Sequence, residues 1–141
     1  MSDIAEMADT IRIHARLLDA LLAEARRDPG IECCGLLAGR DGVITTVLPA
    51  RNALASATAY EIAPDDLFAL FRGMRERGLD HLGIYHSHPA TGNAPSPTDI
   101  ERAYYPDVAH FIISPRADAQ KPVRAFRIVE GRATELVIEW V

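Results

Sequence analysis

Two histidines, His86 and His88, stand one residue apart in Gly83-Ile84-Tyr85-His86-Ser87-His88-Pro89. If this segment is a strand, residues i and i+2 share a face and both imidazoles project together. Two neutral imidazoles on one face make half of a tetrahedral zinc site. The plainer alternative is a pair of histidines at a polar strand end. Asp99 follows after ten intervening residues, at the start of an expected helix that can bring its carboxylate back to the histidines. It also has a local use. Ser96-x-x-Asp99, with Pro97 between, matches a capping box with Ser96 as N-cap, Pro97 at N1 and Asp99 at N3. For Ser96, capping is compatible with pointing into a cleft. For Asp99, capping and ligation compete, because a ligating carboxylate has less freedom to reach back. Glu32 precedes the apolar run Cys33-Cys34-Gly35-Leu36-Leu37. An acid there either marks the solvated end of a strand or acts as general base toward a metal-bound water.

The remaining candidates carry less. His14, His81 and His110 lack paired spacing and read as surface or hydrogen-bonded structural residues. Cys33 and Cys34 are adjacent, with Cα atoms about 3.8 Å apart, too close for an unstrained disulfide. On a strand they alternate faces, one toward the core and the other toward cleft or solvent. No basic neighbour in sequence lowers either thiol's pKa. Asn93 reads as a turn residue and Trp140 as core packing near the C-terminus.

The elements that position these residues follow from periodicity. Thr10 to His14 alternates like a strand. Leu17, Leu18, Leu21, Leu22 and Ala25 recur at helical spacing, stopped by Asp28-Pro29-Gly30. Cys34–Ala38 and Val43–Leu48 flank Gly39-Arg40-Asp41-Gly42 and read as a hairpin. Asn52–Ala59 is a loop, and Tyr60-Glu61-Ile62 a short strand. Pro64-Asp65-Asp66 opens a second helix, with Leu67, Leu70, Phe71 and Met74 as its buried stripe and Gly78 as its end. Leu82–His88 is a strand, 89–95 a loop, and Ser96 starts a third helix. Strands Val108–Ser114, Val123–Val129 and Thr134–Trp140 complete an α/β or α+β pattern around one sheet.

Composition sets the outer limits. The chain has 141 residues, 48% hydrophobic and 25% charged, which excludes disorder as its main state. The net charge of −5 argues against coating by nucleic acid, which needs a basic face. No run of about 18 apolar residues is present to span a bilayer. The acidic N-terminus does not read as a signal peptide, and with no disulfide framework the chain is expected in the cytoplasm with reduced thiols. Residues 1–9 form an expected flexible lead-in and 10–141 one domain. Oligomeric state is not encoded in any of these patterns.

Taken together, Glu32, His86-x-His88, ten residues, then Asp99 with Ser96 three before it, resembles the JAMM (MPN+) metallopeptidase family, in its small free-standing prokaryotic form. Cys34-Gly35-Leu36-Leu37-Ala38-Gly39, His86-Ser87-His88-Pro89 and Asn52 look like that family's sequence blocks. The resemblance implies a cytidine-deaminase-like JAMM/MPN fold, one mixed β-sheet flanked by helices. It implies Zn²⁺ held by His86, His88 and Asp99, with Glu32 as general base on zinc-bound water and Ser96 bonding the oxyanion. It also implies cleavage of an amide or isopeptide bond at the C-terminus of a ubiquitin-like or sulfur-carrier protein with a Gly-Gly-type tail. Such a tail is expected to bind as an added strand at a sheet edge. Asn52 and Tyr60 are expected near the substrate. The alternative is a zinc-containing module that binds ubiquitin-like proteins without cutting them. A nucleoside deaminase would need His-x-Glu and Pro-Cys-x-x-Cys, and a dithiol redox protein a spaced Cys-x-x-Cys; both are absent.

Overall fold

The computed structural model describes residues 9–141. The expected lead-in over residues 1–9 lies outside them, save for Asp9, whose carbonyl accepts from the Val137 amide at 2.8 Å. Ten elements follow: β1 (Thr10–Ile13), α1 (Leu17–Arg27), β2 (Cys34–Arg40), β3 (Val43–Ala50), α2 (Pro64–Arg77), β4 (Asp80–Ser87), α3 (Pro97–Glu101), β5 (Ala109–Ile113), β6 (Val123–Val129) and β7 (Arg132–Trp140). The expected strand at Tyr60–Ile62 shrinks to a single bridge between Asn52 and Ile62.

The one mixed sheet closes on itself in the order β1-β3-β2-β4-β5-β6-β7. β1 makes the closure, running parallel to β7 over four residue pairs and to β3 at Val43 and Ile44. Beyond Ile44, β3 has no strand partner on that side among the described residues. Two tight turns set the hairpins. Asp41-Gly42 and Glu130-Gly131 both take positive φ at each residue, the geometry whose twist matches paired strands.

Alternation along the strands sorts the apolar residues onto two faces. The inner face sends Leu37, Tyr85, Phe111 and Ala125 against Leu17, Leu21 and Ala25 of α1, so the sheet wraps this helix. On the outer face, Leu36, Ala38 and Ile84 pack beneath α2, and Ile112, Phe126 and Ile128 beneath α3. Leu21 is fully buried where α1 meets the sheet. Leu21→Ala is expected to lower unfolding free energy by about 2–5 kcal/mol. Chemical denaturation should show an earlier midpoint with an unchanged slope.

Candidate metal centre and active site

The site is built on the outer face, in the seam between the α2 and α3 clusters. His86 and His88 continue the outward alternation begun by Ile84. β2 lies antiparallel beside them with Cys34 opposite His86. The pairing runs one step further, since the Ser87 amide donates to the Cys33 carbonyl at 3.1 Å. Glu32, two residues before Cys34, therefore comes opposite His88 on the same face.

Three donor atoms converge here. The Nε2 atoms of His86 and His88 are 3.1 Å apart. Asp99 Oδ2 lies 3.2 Å from the first and 3.0 Å from the second. His88 Nδ1 donates to the Gly92 carbonyl at 2.8 Å, so in the neutral ring Nε2 carries a lone pair toward the cluster. With its Nδ1 proton donated to Gly92, a neutral His88 turns a lone pair toward the Asp99 carboxylate, and that contact repels unless a proton or a metal cation lies between them. Metal–ligand bonds of about 2.0–2.1 Å in tetrahedral geometry place neighbouring ligand atoms about 3.3 Å apart. The residues present therefore fit a tetrahedral metal with three protein ligands.

Asp99 serves two masters through one oxygen. Ser96 Oγ accepts from the Asp99 amide at 3.0 Å, and Asp99 Oδ2 accepts from the Ser96 amide at 2.9 Å. The capping box forms in full, and the same Oδ2 faces both histidines. The expected competition does not arise, because a carboxylate oxygen has lone pairs for more than one partner. Burial works against the Asp99 anion, but its bonds with His86, His88 and the Ser96 amide hold the carboxyl well below its usual range.

Glu32 is only 3% exposed, and its Oε1 is buried with no hydrogen-bond partner among the described residues. Burial pushes its carboxyl up to about 7; nearby Asp99 adds to the rise and His88 opposes it. Its main chain is held on both sides. The Glu32 amide donates to the Ser56 carbonyl at 2.8 Å, and the Asn52 amide nitrogen donates to the Glu32 carbonyl at 3.1 Å. Next in the chain, the Cys33 amide donates to Ser87 Oγ at 2.9 Å.

Asn52 and Tyr60 both border the site, with protein partners. Tyr60 stacks on the His86 ring, centroids 4.4 Å apart and planes at 22°. Asn52 bonds within its own loop and to Glu32. Sequence reasoning missed Ser87, the residue between the two histidines, whose fully buried hydroxyl ties β4 to Cys33. The signal was present, since the residue between two outward histidines must point inward. Asn93 does more than turn the chain: it is buried and donates to the carbonyls of Ile112 and Lys121, anchoring the loop that carries Gly92.

The other reactive types stand aside. Burial pushes the Cys33 thiol up to about 11 and Cys34 to about 12, so neither supplies a thiolate at neutral pH. Burial lowers His110 to about 4, against the opposing effect of its bond to the Tyr105 carbonyl. A cavity of about 440 Å³ adjoins the site, lined by Tyr60, Ile62, Ile84, Asp99, Arg102 and Tyr104 among others.

The chain is similar to several known proteins. The family profile Prok-JAB, described as prokaryotic homologs of the JAB domain, matches residues 14–129. A CysO-cysteine peptidase of Mycobacterium tuberculosis is 38% identical over 125 residues, covering 87% of this chain and 86% of the relative. A desampylase of Haloferax volcanii is 36% identical over 118 residues, covering 82% and 81%. The solution structure of a Desulfitobacterium hafniense protein superposes with a TM-score of 0.82 at 34% identity, covering 93% of this chain and 92% of the other. With the profile spanning most of its length and relatives this similar nearly end to end, the chain belongs to the family of prokaryotic JAB homologs and is a JAMM-type hydrolase.

Proposed function

We propose that this protein cleaves the amide or isopeptide bond, or a related acyl bond, at the C-terminus of a ubiquitin-like or sulfur-carrier protein. The observation that carries the reading is the convergence of His86, His88 and Asp99 within 3.0–3.2 Å of one another beside a buried carboxylate oxygen of Glu32 with no partner among the described residues. The peptidase and desampylase relatives support the substrate class. His86, His88 and Asp99 would hold Zn²⁺. A zinc ion held there would lower the pKa of a water to about 7 and polarise the scissile carbonyl.

The chain's own residues do the rest. Glu32 takes a proton from the attacking water through its free oxygen and returns it to the leaving nitrogen. Ser96 spends its oxygen lone pair on the Asp99 amide, which leaves its O–H to donate to the oxyanion. The carrier's tail lies in the cavity beside Asp99 and Tyr60, whose apolar floor excludes water from the reacting bond. Both cysteines are free thiols, in keeping with a reducing cytosol. No helix among the described residues is long and apolar enough to cross a membrane.

Incubating the zinc-loaded protein with a carrier protein amide-linked through a C-terminal Gly-Gly to a reporter amine is expected to release the amine. Binding without release would leave the alternative, a zinc-containing module that only grips such proteins. Ser96→Ala is expected to lower kcat by about 10²–10³-fold through the lost oxyanion donor. The lost cap costs about 1 kcal/mol of stability. Thermal melting separates the two effects, because 1 kcal/mol leaves the protein folded at assay temperature.

A further inference from the structure

A general base must keep an oxygen available for water, so it cannot be anchored through that oxygen. Glu32 meets this requirement by being held through its main chain. We infer that Asn52 is the positioning residue that sets Glu32 against the metal ligands, and that it couples Glu32 to the loop stacked on His86. This inference rests on the proposed role of Glu32 and deepens it.

The Asn52 side chain divides into two halves. Its Nδ2 donates to the Glu32 carbonyl at 3.1 Å and to the Ala59 carbonyl at 3.0 Å. Its Oδ1 accepts from the Leu54 amide at 3.0 Å and the Glu61 amide at 3.2 Å. Ala59 and Glu61 flank Tyr60, whose ring lies on His86. One side chain thus ties the base to the residue that orients a metal ligand. Its polar capacity is spent on these bonds, which is the pattern of a strut rather than of a substrate contact. Partners of this kind, one step out from the reacting groups, fix geometry that the reacting groups cannot fix themselves.

The halves can be separated. Asn52→Asp keeps an oxygen for Leu54 and Glu61 but has nothing to donate to Glu32 or Ala59. With a carrier–Gly-Gly–reporter substrate, kcat is expected to fall by about 10²-fold from misplacement of the base, with KM held. Zinc affinity, read by chelator competition, should stay at the wild-type value, and the Leu54 and Glu61 amides should stay protected from hydrogen exchange. Asn52→Ala loses both halves: those two amides exchange freely and zinc affinity weakens by about tenfold as Tyr60 leaves His86. An Asn52→Asp protein with wild-type kcat would overturn the inference. So would a kcat loss matched by an equal loss of zinc. If the wild type turns over no carrier conjugate, it is the proposed activity that fails. Amide exchange and zinc affinity in the Ala variant then still judge the clamp, with unchanged values counting against it.

Discussion

Glu32→Gln is expected to lower kcat by about 10²–10⁴-fold while the protein keeps its zinc. Glutamine has the shape of glutamate, so a site that leaves Glu32 only 3% exposed accepts it without a new cavity. The substitution also leaves the main-chain anchors from Asn52 and Ser56 in place. What it removes is the ability to take a proton. Bound metal should therefore match wild type by elemental analysis, and KM should change little. A variant that kept its kcat would remove Glu32 from the chemistry and return it to the end of a strand. A variant that lost zinc together with activity would instead make Glu32 part of the metal's support.

His88→Ala is expected to remove both zinc and turnover. His88 contributes one of three converging donors, and its loss leaves two, too few for a tight tetrahedral site. It also breaks the bond from Nδ1 to the Gly92 carbonyl, so the 89–95 loop loses its tie to the centre. Metal content should fall from about one per chain to near background, with activity following. Far-ultraviolet circular dichroism should stay close to wild type, because the two outer clusters on either side of the seam do not include His88. Equal zinc in wild type and His88→Ala would show that the metal is held elsewhere. The pair of variants is informative together: one separates chemistry from metal, and the other removes the metal itself.

Much of this was legible in the chain. The spacing of His86 and His88 needed only the two-residue period of a strand, and Ser96-Pro97-x-Asp99 needed only the rules of a helix start. Both are local, so both survive folding unchanged. The reading of Asp99 set capping against ligation, whereas the cap forms with the same oxygen still facing both histidines. A carboxylate oxygen can serve several partners, and spacing alone does not show that it does. Tyr60 and Asn52 were placed near the site, but their partners were out of reach of a sequence argument. Whether a loop tyrosine meets a substrate or lies on a histidine depends on how 51–63 folds over β4, and no periodicity encodes that. Closure of the sheet was hidden for a similar reason. The four residues of β1 show that a strand exists, but nothing in them names β3 and β7 as its neighbours. The tail's expected sheet edge is correspondingly scarce, since among the described residues pairing on both sides leaves open backbone only in places such as the far half of β3.

That short closing strand also shapes how the molecule is made. Thr10 pairs with Val137, so the ring shuts only when the first and last strands of the described residues meet. Until then β3 and β7 present unpaired backbone at the same time, and the nascent chain is most open to wrong partners in that interval. His86, His88 and Asp99 take no part in these pairings. Closure of the ring therefore guards the edges of the sheet rather than the residues of the site.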